Sequence, residues 1–176
     1  MAVEMKVGPL VVGLSEAQAY VRVEDGEEEA LLAGLLRSAQ SACEDFLGYA
    51  LLERAFSEVA AASVAWQRLG TMPVRAIDEV SALYPDGGTQ QIAPSRYAID
   101  IDGDGVGRVR IVGLMDAQRV KVSGHAGMYS TSNDVPEAIR QGIIRLTAHY
   151  FAHRDGDGAA PSAVLALWRP HRRAKL

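Results

Sequence analysis

The densest set of potential ligands in this sequence is Asp100-Ile101-Asp102-Gly103-Asp104-Gly105. Its D-x-D-x-D-G spacing matches the start of a calcium loop, in which alternate carboxylates supply hard oxygen ligands and a glycine makes the sharp turn. Where such a loop needs its closing bidentate glutamate, this chain has Ile111, and the flanking residues alternate as strands do. A hairpin turn made of residues that tolerate left-handed backbone accounts for the stretch better. His149 and His153 are four residues apart, a spacing that sets both imidazoles on one helix face. A zinc protease needs Glu directly after the first His, and Tyr150 stands there instead. Two histidines are also too few for a structural zinc site, so they read as helix-end residues, with His153 and Arg154 suited to a helix C-terminus. No Gly-x-Ser-x-Gly occurs, and Cys43 lies on an apolar helix face without an evident base. Gly103, Gly105 and Gly107 lead into another strand-like segment, whereas a phosphate cradle leads into a helix. The expectation is therefore no catalytic residue, no cofactor and no metal.

The elements that position these residues follow from periodicity. Ser15-Glu16-Ala17-Gln18 has the spacing of a capping box and predicts a helix over 15–23. Asp25-Gly26-Glu27-Glu28 is a second start, with acids near the positive helix end. Leu31, Leu35, Ala39, Ala42 and Phe46, with Leu32, Leu36, Cys43 and Leu47 alongside, predict a long amphipathic helix over 26–47. Gly48 suits its left-handed cap. From 50 to 125 the period shortens. Ala50–Val59, Val64–Leu69, Ile77 to Tyr84, Tyr97 to Ile101, Val106 to Ile111 and Val120 to Val122 read as antiparallel strands. Asp86-Gly87-Gly88 and Asp102-Gly103-Asp104-Gly105 read as their turns. Asp134-Val135-Pro136-Glu137 then opens a helix over 135–153, and Pro161-Ser162 opens a last short one ending at Trp168. The fold class is α+β: a helical core from the N- and C-terminal helices, with an antiparallel β insertion between them.

Composition excludes several classes. The chain has 176 residues, 48% of them hydrophobic but only 6% aromatic, so a core is built mainly from Ala, Val, Leu and Ile. One cysteine rules out an intrachain disulfide framework and a cysteine-rich zinc site. No apolar run is long enough for a membrane span, and the start of the chain lacks the features of a signal peptide, which points to a soluble, non-secreted protein. The net charge of −4 excludes a strongly basic nucleic-acid binder. That charge is unevenly spread: −5 over 1–30, −3 over 31–136 and +4 over 137–176. Arg169-Pro170-His171-Arg172-Arg173-Ala174-Lys175-Leu176 carries four formal positive charges and no acid, directly after Trp168. An aromatic beside arginines has the composition of a docking segment, for an acidic protein surface or for phosphates.

The order of elements resembles siphophage head–tail connector (adaptor) proteins, a family that includes prophage and gene transfer agent adaptors. The likeness is carried by "LSEAQAYVRVEDGEEEALLAGLLRSAQSACEDFLGYAL", then "RLGTMPVRAIDEVSALYPDGG" and "APSRYAID". It continues through "VKVSGHAGM", "DVPEAIRQGIIRLTAHYFAHRD" and "AVLALWRPHR", so it spans about Leu14 to Arg172. The resemblance implies a structural protein: a ring, twelvefold in the particle, below the portal, extending the DNA channel and joining the capsid to a stopper or tail. The expected parts are an adaptor domain over 14–158 and a short helix with a basic tail over 159–176, preceded by an N-terminal extension over 1–13 that the resemblance does not cover. The resemblance also implies a virion or gene transfer agent particle as location, synthesis in bacterial cytoplasm, and no membrane. On this reading Trp168, Arg169, Arg172, Arg173 and Lys175 form a portal-docking tail. Glu24, Asp25, Glu27, Glu28 and Glu29 face a neighbouring subunit or ring, and packaged DNA passes without sequence-specific binding. The alternative class is a small α+β binding module of a bacterial host, using the basic tail to bind nucleic acid or a partner protein. A metal-dependent enzyme using His149, His153 and the Asp100–Asp104 turn is a third.

Overall fold

The computed structural model describes residues 3–23, 28–113, 116–153 and 158–173. Along the chain lie β1 (Val3–Met5), α1 (Leu14–Val21), α2 (Glu29–Leu47), β2 (Arg54–Ala61), β3 (Gln67–Arg68), β4 (Val74–Leu83), β5 (Thr89–Gln91), β6 (Tyr97–Ile101), β7 (Gly107–Ile111), β8 (Arg119–Ala126), α3 (Glu137–Ala152) and α4 (Ser162–Trp168). They form two units. One is a β unit, Met1–Gly8 with Glu53–Met128; the other is a helical unit, Pro9–Leu52 with Tyr129–Leu176. The fold is thus α+β, with β2 to β8 inserted between α2 and α3 and β1 supplied from ahead of α1. Among the described residues, no helix is long and apolar enough to cross a membrane.

In the β unit, one antiparallel sheet runs in the order β1-β2-β8-β4-β5 and a second in the order β3-β7-β6. Alternation decides which residues face inward. Val120, Val122 and Ala126 of β8 are buried with Phe56 and Ala60 of β2 and Val80 and Ala82 of β4; Val109 and Ile111 of β7 join the same core. β8 is central, pairing with β2 from Arg54↔Ala126 to Ala61↔Arg119 and with β4 on its other side. Glu58 breaks the apolar rule, since it is fully buried on the core face of β2. Its carboxylate accepts hydrogen bonds from the Gly70 amide (2.7 Å), the Thr71 amide (2.9 Å) and the Thr71 hydroxyl (2.9 Å). A buried carboxylate persists only when its lone pairs are filled in this way, and here they fix the loop after β3.

In the helical unit, α2 buries Leu32, Leu36, Ala39, Cys43 and Leu47. Leu31, which the sequence sets on the leading apolar stripe, is 40% exposed, so the helix is turned slightly toward the companion stripe. Gly48 ends α2 at φ 82, a left-handed conformation that L side chains avoid, and its amide returns to the Glu44 carbonyl. α3 packs beside it through Ile139, Ile143, Leu146 and Thr147.

Two helix starts differ from the sequence reading. α1 begins at Leu14 with extended Gly13 as its N-cap, and no side-chain cap forms at Ser15. The chain just before it is already held: Val11 and Val12 are buried, and the Val11 amide donates to Gln40 Oε1 (2.8 Å). Asp134 does not cap α3. It closes a capping box with Thr131 around a 3-10 turn, and Pro136 sits at the N-cap of α3 instead.

The residues before Leu14 belong to both units. Val3–Met5 forms the edge strand on β2, while Gln40 Nε2 donates to the Pro9 carbonyl and Arg140 donates to the Val11 carbonyl. The insertion leaves and returns at one place, where the Tyr129 amide donates to the Leu51 carbonyl (2.8 Å).

Candidate functional site

α2 positions two oppositely charged groups. Its 19 residues span about 28 Å at the α-helical rise. At its start stand Glu28, the N-cap residue, and Glu29 in the first turn, followed by the half-exposed Leu31. Glu24, Asp25 and Glu27 lie outside the described residues. Acids here complement the positive end of the helix dipole.

At the other end of α2 lies the basic segment after α4. Arg173 N–H donates to the Leu47 carbonyl (3.1 Å), one of the carbonyls a helix end leaves without an internal partner. The Tyr49 hydroxyl donates to the His171 carbonyl (3.1 Å), and burial pushes that phenol above its ordinary range. The Arg172 guanidinium stands 5.4 Å from the centre of the Phe46 ring. Arg169 and Arg172 are exposed. Lys175 lies outside the described residues. The bases therefore gather at the negative end of the α2 dipole, held by backbone bonds up to Arg173.

Trp168 corrects the sequence reading of the tail. It is fully buried, so it is no surface anchor. Its indole N–H donates to the Ile139 carbonyl (3.3 Å), and its ring lies 6.0 Å from Phe46. The slot exists because position 142 is glycine: a Cβ there would stand 2.0 Å from the indole nitrogen. An aromatic in an aromatic-poor chain is spent on the core, where its large area counts most. Trp168 roots the tail, and the exposed charge begins at Arg169.

The remaining candidates resolve locally. Asp100–Gly105 is the turn between paired β6 and β7. Asp102 Oδ1 accepts from the Asp104 and Val106 amides (both 3.0 Å), which holds its carboxyl below the ordinary aspartate range. Arg108 bridges Asp100 and Asp102 at 2.9 Å each, so a cation from the chain itself takes these carboxylates. The His149 and His153 rings lie 4.5 Å apart at the end of α3, and the His153 Nδ1 contacts the His149 carbonyl (3.0 Å). Among the described residues no group of three or more His, Cys, Asp or Glu is arranged to hold a metal. Cys43 is buried, and burial pushes its thiol up, which makes it a poor nucleophile.

One surface escaped the sequence reading. Gln67 pairs with Val109 and Arg68 with Arg108, so the register sets Trp66 opposite Arg110. The Arg110 guanidinium lies 4.8 Å from the Trp66 ring centre, and Trp66 is 43% exposed. Val64 and Val112, also exposed, flank the bond from the Ile111 amide to the Ser63 carbonyl. The signal was present as alternation in Val64–Leu69, where Trp66 and Arg68 share one face, but a lone strand does not say which face is outward.

No model of a protein family matches the chain, and no curated protein sequence matches it. Solved structures do. A chain from the neck of an empty gene transfer agent (GTA) particle, computed with C6 symmetry, matches at TM-score 0.76 and 23% identity, covering 100% of this chain and 97% of that one. A chain from the neck of a native GTA particle, computed with C12 symmetry, matches at TM-score 0.74 and 22% identity with the same coverage. A chain from the virion of a native GTA particle matches at TM-score 0.71 and 24% identity, again with the same coverage. At these identities the likeness establishes the fold: both units, in one order and over the whole length, have the fold of chains in the necks and virion of GTA particles.

Proposed function

We propose that the chain is a structural, non-catalytic subunit of a head–tail connector ring in a phage-like or gene transfer agent particle. The observation that carries this reading is the full-length match to neck chains, with both units included. The subunit sits below the portal protein, repeats around the axis, twelvefold in the particle, and offers its far side to a stopper or tail-completion protein. Packaged DNA passes through without sequence-specific contact, and the net charge of −4 suits a wall that does not grip phosphate.

Within this frame the two ends of α2 do different work. Arg169, Arg172, Arg173 and Lys175 dock on the portal, with Trp168 as their buried root. Glu24, Asp25, Glu27, Glu28 and Glu29 face a neighbouring subunit or ring. Acidic and basic surfaces on one subunit can meet head to tail and close a circle.

The test follows from the burial of Trp168. A chain truncated after Trp168 keeps its core and should show the circular dichroism of the full chain and cooperative unfolding, at a lower midpoint for the lost Tyr49–His171 and Arg173–Leu47 bonds. It should no longer add to portal-bearing heads in a sedimentation assay. Normal addition by the truncated chain would remove the docking role of the tail. Failure of the full chain to join such heads would remove the connector reading itself.

A further inference from the structure

We propose that the Trp66–Arg110 face of the small sheet receives the acidic start of α2 from a second copy of this chain. The inference rests on the ring reading above and supplies its missing half, the surface that the acidic segment meets.

The face has the composition of a protein-binding centre. Trp66 is 43% exposed, Val64 66% and Val112 47%, in a chain whose aromatics are scarce. Interface centres are enriched in Trp and Arg, and well-placed Trp and Arg carry a large share of binding energy. The Arg110 guanidinium lies 4.8 Å from the Trp66 ring centre, a contact that holds it without neutralising it. The Arg68 guanidinium donates to the Met72 sulfur (3.7 Å). Among the described residues neither Arg68 nor Arg110 is in an ion pair. Arg108 beside them already holds Asp100 and Asp102.

The occupant follows from charge and shape. The face offers two uncompensated arginines around an apolar centre, so its complement is a pair of carboxylates beside an apolar side chain. Glu28, Glu29 and the 40% exposed Leu31 present that set within one turn of α2. Arginine binds carboxylate through paired, charge-assisted hydrogen bonds. A nucleic acid fits less well, because its phosphates would leave exposed Val64 and Val112 unmatched, whereas Leu31 offers them an apolar neighbour. The contact joins two different surfaces, so repeating it generates a ring or a helix rather than a closed dimer.

Disulfide trapping tests this even when the association is brief. Two variants are made in a Cys43→Ser background, one Ala98→Cys, opposite Arg110 on the same face, and one Ala30→Cys, exposed beside Glu29, and mixed under mild oxidation. The expected result is a mixed disulfide in several-fold excess over the two symmetrical ones, reduced at high salt. Adding Arg68→Glu and Arg110→Glu to the Ala98→Cys chain should remove the excess. Adding Glu28→Arg and Glu29→Arg to its partner should restore it. A statistical mixture of disulfides overturns the proposal, as does salt-sensitive DNA binding lost with Arg68→Glu and Arg110→Glu but without the mixed species. Trapping in a chain that fails to join portal-bearing heads would leave the contact standing and remove the connector reading. Normal head joining without trapping would do the reverse.

Discussion

A methyl group on Gly142 would stand 2.0 Å from the Trp168 indole nitrogen, closer than any packed carbon can come. Gly142→Ala must therefore push the indole out of its slot and stretch its bond to the Ile139 carbonyl. The expected cost is about 1–3 kcal/mol, the usual range for overpacking a filled core, read from denaturant unfolding. Glu58 makes the complementary case. Glu58→Gln keeps the shape but turns an NH2 group toward a cluster of donors, at the Gly70 and Thr71 amides and the Thr71 hydroxyl. Leaving a buried donor unmet costs about 1–3 kcal/mol. Glu58→Gln should lower the unfolding midpoint, and amide exchange at Gly70 and Thr71 should rise more than elsewhere. Neither residue was legible in the sequence. A glycine on a helix face and a glutamate in a strand are ordinary in one dimension. Their meaning depends on Trp168 and the Gly70–Thr71 loop, which lie elsewhere along the chain. Cys43 was legible, because its helical spacing alone placed it on an apolar face.

At the scale of elements, the β6–β7 hairpin tests the electrostatics of its turn. The Val106 amide, then that of Asp104, holds the Asp102 carboxyl below the ordinary aspartate range, with Arg108 adding to the effect. A depressed carboxyl stabilises the fold above the ordinary aspartate range and loses that contribution as pH falls through its folded value. Acidification below the ordinary range should therefore raise amide exchange at Asp104 and Val106, while β8 stays protected. An Asp102→Asn chain should show little of that acid dependence. The hairpin could be read from sequence because its signal is local: alternation on both sides of a D-G-D-G turn. The end of α2 was legible for the same reason, through Gly48. The start of α1 was not, because Gln40 and Arg140 decide it from a distance by binding the backbone at Pro9 and Val11. Sheet order was equally hidden. Nothing near Val3 announces that it will pair with Glu58.

At the scale of the whole molecule, the uneven charge and the order of elements carried the functional reading. An average of −4 concealed an acidic start and a basic end, and α2 turns that one-dimensional split into two clusters about 28 Å apart. Composition showed the tail as basic but could not show that Arg173 is tied to the Leu47 carbonyl. The Trp66 face went unnoticed because its arginines come from two strands about forty residues apart, which only the β3–β7 register unites.

The interleaved chain path has a consequence for synthesis. The β unit is complete once Met128 has emerged from the ribosome, whereas the helical unit lacks α3, α4 and Trp168 until about forty further residues have been made. Units that fold during translation do so as they are completed. A nascent chain stalled with residues up to Met128 exposed should protect the amides of β2, β4 and β8 from exchange. α2, made earlier, should stay unprotected until Trp168 is released. The first long helix to be translated is thus among the last to settle, and its acidic start becomes a fixed surface only when the basic end of the same chain is already in place.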